Sequence, residues 1–345
     1  MKIHQQQAPT LAKRFACKLA TGVSISLALV CTSSVSLAQK APESVSANDF
    51  IELFAKLGGQ HPGMRKAHAR GVCAQGVFKP AKDALQYSNA SFLTQQSLPA
   101  QVRFSLGGPN PVADERTPGT RGIGIQLSLP GGDKYNITGN NSPVFTGKNP
   151  ETFFGFLQTL LPDENGQANP AKTGAYIAAN PSVQPALAYA RSNPAPASFS
   201  RSDYFGIHTF FFENEQGEQT KFRWHLSPDA GVLGLSEEES KTLPPTFLEE
   251  RLTSELAEGT VSFTLSAAIG NEQDSVIDPS QQWPEERPVI TLGTLEINQA
   301  GGDACTAINF DPNVVPSGIK TSDDPVLKMR SPAYGISFGK RLSQQ

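Results

Sequence analysis

Two short segments carry residues whose types and spacing suit redox and proton-transfer chemistry. Arg330-Ser331-Pro332-Ala333-Tyr334 sets an arginine one helical turn before a tyrosine. A tyrosine binds ferric iron well only as phenolate. Because a free phenol has a pKa of about 10, a permanent cation beside it is needed to favour the charged form near neutral pH. Arg330 can supply that cation. Near the other end, Arg65-Lys66-Ala67-His68-Ala69-Arg70-Gly71 places a histidine among basic residues. A neutral histidine is suited to take a proton from one atom and return it to another. Read alone, His68 fits a structural histidine at a strand edge equally well.

These residues need a scaffold. Asn48 suits a helix N-cap, Phe50, Ile51, Phe54 and Leu57 follow at helical spacing, and Gly58-Gly59 stops the run. The chain then reads as strands with glycine-rich turns: 71–78, 101–106, 122–129 and 135–138, with Gly131-Gly132-Asp133 as a hairpin signal. Asn149-Pro150-Glu151 opens a second helix whose apolar face includes Phe153, Phe154, Leu157, Leu160 and Leu161. Residues 165–196, rich in Ala and Pro, suit short helices. Strand signals return at 204–212, read as one two-sided strand, and at 220–226. An acidic helix over 236–258, broken by Pro244-Pro245, precedes two more strands at 261–267 and 289–296. Strands dominate without a βαβ rhythm, so an α+β fold is expected, an antiparallel barrel with peripheral helices.

The first 38 residues differ from the rest. Lys13, Arg14 and Lys18 precede an uncharged stretch from Leu19 to Val30, and Ser36-Leu37-Ala38 supplies small residues for cleavage. This reads as a secretory signal peptide over 1–38 followed by one domain over 39–345, and implies a periplasmic or secreted protein. The stretch is short of the ~20 apolar residues a membrane span needs, so no membrane association is expected after cleavage. Cleavage would remove four basic residues of 29 and leave 25 against 32 acidic ones, a net charge of about −7. Nucleic acid is therefore not an expected partner. Cys73 and Cys305 would remain as the only thiols in an oxidising setting; a disulfide between them is expected, with two separate buried thiols as the alternative.

Further segments occur in a telling order: Arg103-Phe104-Ser105, then Gly139-Asn140-Asn141-Ser142-Pro143-Val144-Phe145, then Phe310-Asp311-Pro312 with Pro316-Ser317-Gly318-Ile319. With the two segments above, they resemble the catalase superfamily, and within it the small catalase-related haem peroxidases that are often exported, over roughly residues 48–345. The resemblance implies a barrel core binding haem b. It implies that His68 is the distal acid–base group, Ser105 the hydroxyl orienting it, and Asn140 the amide that holds peroxide. Tyr334 would be the iron ligand, paired with Arg330, with His208 and Asp324 as a charge chain behind. Arg65 and Arg103 would bind the haem propionates, and Phe145 and Phe153 would lie on or beside the macrocycle.

The chain also departs from that pattern. Typical catalases carry Asp-Pro-Arg-Gly in the segment that lines the peroxide channel, whereas this chain has Pro118-Gly119-Thr120-Arg121-Gly122, so the channel carboxylate is expected to be missing. The sequence ends eleven residues after Tyr334, without the segment that ties catalase tetramers together, so a monomer or homodimer is expected. The small relatives are peroxidases with weak catalase activity, accepting hydrogen peroxide or organic hydroperoxides and a small organic electron donor. Two alternatives are a fatty-acid hydroperoxide rearranging enzyme, in which a threonine rather than Ala67 typically precedes the histidine, and a non-catalytic haem-binding barrel. Ser105 lacks the surroundings of a hydrolase nucleophile. No Cys-x-x-Cys pair, phosphate-binding glycine loop or His-Glu-x-x-His is present, and His61 stands too loosely before His68 for a metal site.

Overall fold

The computed structural model describes residues 44–344; the expected leader and its cleavage point lie outside the described residues. The first helix, α1 (Ala47–Gly58), is capped not by Asn48 but by Ser46, whose hydroxyl accepts from the Asp49 amide while Asp49 reaches back to the Ser46 amide. Such reciprocal capping satisfies two orphan donors at once, which Asn48, one position inside, could not do.

Eight strands close a barrel. β1 (Gly71–Pro80), β2 (Leu98–Leu106), β3 (Arg121–Ser128) and β4 (Lys134–Asn140) pair antiparallel in sequence. Beyond the helices α2 (Pro150–Thr159), α3 (Pro170–Ala179) and α4 (Gln184–Ser192), the short β5 (Tyr204–Phe205) joins β4 to β7 (Gln219–Pro228). The acidic stretch forms α5 (Glu237–Thr242) and α6 (Leu248–Glu258), and β8 (Val261–Ile269) and β9 (Val289–Ala300) complete the ring between β7 and β1. β6 (Phe210–Glu213) and β10 (Ile319–Thr321) extend the sheet beside β7. The chain then enters α7 (Pro325–Leu342). Among the described residues no helix is long and apolar enough to cross a membrane.

Side chains alternate across the pleat, so one set of positions fills the barrel. Val102, Phe104, Ile123, Ile125, Ile137, Tyr204 and Phe263 are among the residues packed into a single apolar core, many with essentially no exposure. These side chains fill the interior of the barrel, which leaves room for a sizeable ligand only outside it. The expected single strand over 204–212 is split: the ladder stops after Phe205 and resumes at Phe210. His208 leaves it to reach a carboxylate, and a buried polar ring needs that partner more than the sheet needs one rung. Helix α2 stops at Thr159, leaving Leu160 and Leu161 beyond it. Cys73 and Cys305 are joined in a disulfide with their Cα atoms 5.4 Å apart.

Candidate active site

On the outer face of β2, β3 and β4, the pairing register lines up two rows. Ser105, Gly122 and Asn140 stand opposite one another in the first; Arg103, Gly124 and Thr138 do so in the second. This wall forms one side of a cavity. The loop 65–68, residues Asn309 and Phe310, and helices α1 and α7 form the others.

His68 lies in the loop entering β1 with φ +52°, a left-handed conformation uncommon for a residue with a side chain and often found where function requires it. Its ring lies across Gly122. A Cβ there would come within 2.6 Å of His68 Nδ1 and 2.9 Å of Ser105 Oγ, so only glycine lets the imidazole reach the wall. Nδ1 is 3.0 Å from Ser105 Oγ, and that hydroxyl donates to the Gly122 carbonyl at 3.4 Å. The hydroxyl therefore accepts from Nδ1–H, which leaves the Nε2 lone pair of His68 free. Burial, together with Arg103, Arg330 and Arg65, pushes the His68 pKa down to about 3, so the ring is neutral near physiological pH. Asn140 has its amide orientation set by the Ser142 N–H, which donates to Oδ1 at 2.8 Å and leaves the NH₂ group as the available donor.

The opposite wall is one face of α7, carrying Arg330, Tyr334, Ser337 and Arg341 at helical spacing. Arg330 Nη2 donates to the Tyr334 phenol oxygen at 2.6 Å, and its Nη1 donates to His208 Nε2 at 3.1 Å. Since Arg has no acceptor, His208 must carry its proton on Nδ1, from which it donates to Asp324 Oδ2 at 2.6 Å. Burial, opposed by Asp324, holds His208 down to about 4, so the ring is neutral near physiological pH and the contact is a hydrogen bond from Nδ1–H to the carboxyl oxygen. Asp324 is also the N-cap of α7: its Oδ1 accepts from the Val326 and Leu327 amides.

Three further cations line the cavity. Arg65, Arg103 and Arg341 have no carboxylate partner among the described residues, and no Asp or Glu is in the lining. Burial and mutual repulsion lower Arg65 to about 9 and Arg103 to about 10. An anionic group entering between them would relieve both costs, and guanidinium groups suit carboxylates in bidentate fashion. Haem, with two propionates and an apolar macrocycle, has the chemistry this set accepts: Tyr334 can hold iron, the three arginines can hold carboxylates, and Ile51, Phe54, Ile123 and Phe310 offer apolar contact.

The structure thus brings together His68, Ser105, Asn140, Arg65, Arg103, Arg330 and Tyr334, with His208 and Asp324 directly behind. Phe145 and Phe153 do not themselves line the cavity; Phe153 packs in the apolar cluster that also holds Phe54 of the wall. Phe145 and Phe153 pack on each other at 4.6 Å, and Phe153 stacks on Phe50 of α1 at 5.8 Å, in an aromatic cluster beside the cavity lining. Phe54 and Phe310 stand in the wall instead, and Arg341 was not anticipated. Its signal was there: 330, 334, 337 and 341 recur on one helical face. His61 is spent on the Gly58 carbonyl at 2.7 Å.

Comparisons with known proteins agree with this geometry. A sequence model of the catalase family matches residues 28–345. The chain is 32% identical to a catalase-related peroxidase of Synechococcus elongatus, over 91% of this chain and 94% of that one. It is also 32% identical to a catalase-related peroxidase of Mycolicibacterium paratuberculosis, over 84% and 93%. A crystal structure of a fungal catalase superposes with a TM-score of 0.74 at 22% identity, covering 89% of this chain and 65% of that one, and shares the fold.

Proposed function

The chain belongs to the catalase family and is an enzyme acting on peroxide; from that premise we propose that it is a haem b peroxidase. In this reading it reduces hydrogen peroxide or organic hydroperoxides with a small organic electron donor, and disproportionates hydrogen peroxide only weakly. The reading includes export to the periplasm or beyond after loss of residues 1–38.

The observation that carries it is the pairing of two walls. A neutral histidine with a free Nε2 and an amide donor face, across the cavity, a tyrosine held by an arginine. A carrier needs no such acid–base pair. When bound, haem supplies an iron that takes two electrons' worth of oxidation from the peroxide. The chain does the rest. His68 Nε2 takes the proton from the near peroxide oxygen and returns it to the far one, so that the O–O bond breaks with water or an alcohol leaving. The Asn140 NH₂ group donates to the oxygen on which charge develops. Arg330 compensates negative charge on the Tyr334 oxygen, and His208 with Asp324 keeps that guanidinium in place. Arg65, Arg103 and Arg341 would hold the propionates. The donor then returns two electrons and two protons.

Weak disproportionation rests on the cavity lining. No carboxylate stands there, and Arg121, in the departing segment, turns away to the Glu115 and Thr117 carbonyls at 2.8 and 2.9 Å. No carboxylate among the described lining residues then draws and orients a second hydrogen peroxide ahead of an organic donor. The test measures oxygen evolution from hydrogen peroxide beside oxidation of an aromatic donor, on one sample with its Soret spectrum recorded. Donor oxidation should exceed oxygen evolution. Catalase-like oxygen evolution with negligible donor oxidation would overturn the proposal, as would a protein without a Soret band.

A further inference from the structure

We infer that the Cys73–Cys305 bond is a positioning element for the haem carboxylates: it fixes the segment 303–310 so that this segment clamps Arg65 and Arg341 beside Arg103. The inference rests on the haem reading of the cavity and adds a role for two residues that touch neither peroxide nor iron.

The argument begins in the sheet. Cys73 on β1 stands directly opposite Arg103 on β2 and so continues the row Arg103, Gly124, Thr138 that forms the cationic part of the wall. Both sulfurs are buried, and the Cys305 amide donates to Cys73 Sγ at 3.2 Å. From Cys305 the chain makes a tight turn, with the Thr306 amide on the Asp303 carbonyl and the Ile308 amide on the Cys305 carbonyl. That turn presents two carbonyls to one guanidinium: Arg65 Nη2 donates to Cys305 O at 3.2 Å and to Ile308 O at 2.9 Å. Ile308 O also accepts from Arg341 Nη2 at 3.4 Å. Two residues further, the Phe310 ring lies against Gly124, where a Cβ would be 2.9 Å from it, and the Phe310 carbonyl accepts from Thr138 Oγ1 at 3.0 Å. The Arg65 guanidinium sits over the same ring, 5.7 Å from its centroid.

A covalent tie is called for because the clamped groups repel. Three guanidinium groups without anionic partners gain by swinging apart into solvent, and neutral carbonyls on a short loop oppose this only if the loop itself is held. Anchored at one end by the disulfide and at the other by Phe310 in the wall, the loop keeps both acceptors in place before any carboxylate arrives.

The test uses the full-length haem-loaded protein and reads haem loss to an excess of haem-free globin. One sample is reduced with a water-soluble phosphine until peptide mapping finds Cys73 and Cys305 both alkylated, the bond taking up two electrons and two protons while the phosphine gains the oxygen of water. A C73A/C305A variant is the second. Haem loss should be at least tenfold faster in both than in the oxidised parent, with the Tyr334-dependent charge-transfer band unchanged. The same measurement with haem dimethyl ester, which lacks carboxylates, separates positioning from general loosening: oxidised and reduced proteins should then lose it at similar rates. Equal loss of ordinary haem from oxidised and reduced protein overturns the inference alone. Equal acceleration for haem and its diester does the same, by showing a purely structural bond. Failure of the oxidised protein to take up haem would overturn the reading of the cavity as well.

Discussion

Arg330 joins two residues at once: one guanidinium nitrogen donates to the Tyr334 oxygen at 2.6 Å, and the other donates to His208 at 3.1 Å. Through His208 the chain of bonds ends on Asp324, the residue that caps the same helix. The candidate iron ligand and the start of its own helix are therefore fixed by one connected network, and a change at any member should be felt at the phenol oxygen.

Tyr334→Phe removes the only phenol that the described residues place in the cavity wall. It should either abolish haem uptake or leave a site whose visible spectrum lacks the phenolate-to-iron charge-transfer band. A spectrum identical to the parent's would show that another residue holds the iron.

His68→Ala should retain haem, because the arginines and Tyr334 remain. The first step with hydrogen peroxide should slow by about 10²–10⁴-fold, the usual worth of a positioned acid–base group. Stopped-flow absorbance on mixing with peroxide measures it. In the parent the rate should vary little between pH 5 and 8, since His68 is held neutral down to about pH 3.

Gly122→Ala places a methyl group 2.6 Å from the His68 ring, which has to move. Displacement of about 1 Å at a catalytic group can cost up to about 10²-fold. The peroxide step should slow by about tenfold or more with haem content unchanged. A parent-like rate would mean that the ring position is unimportant.

The buried His208 gives stability a defined pH dependence. Its folded value, about 4, lies below the ordinary value of about 6.5, so between these limits the unfolded chain binds more protons. Its contribution is complete above about pH 6.5 and is lost as pH falls towards 4, at up to about 1.4 kcal/mol per pH unit. Urea unfolding at several pH values should therefore show a shallower slope in His208→Gln than in the parent. Parallel slopes would contradict the assignment.

Arg330 and Tyr334 stand out in the sequence by their one-turn spacing, whereas His68, Ser105 and Asn140 stand out only through the ordered segments that resemble the catalases. The barrel was legible because period-two apolar runs without intervening crossover helices leave few other folds. What escaped depends on contacts between distant segments. Arg341 reads as a solvated cation on the last helix until α7 is docked against the wall. The stacking of Phe153 on Phe50 joins α2 to α1 across about a hundred residues, a contact that no local pattern announces. The break after Phe205 follows from Asp324, more than a hundred residues away, drawing His208 out of the ladder.

The two walls of the cavity also come from the two ends of the fold, since His68 and Tyr334 are 266 positions apart, 334 less 68. Every strand of the barrel lies between them in the chain. A barrel without α7 would carry the base, the amide and two arginines as an open half-shell that lacks the phenol, its arginine and the closing wall. Capture of the cofactor should therefore wait on a long-range event in folding, the docking of a segment whose partner wall lies far back in the chain. The Soret band consequently serves as a clock for chain completion: in refolding it should rise with the final phase and not with the formation of the sheet.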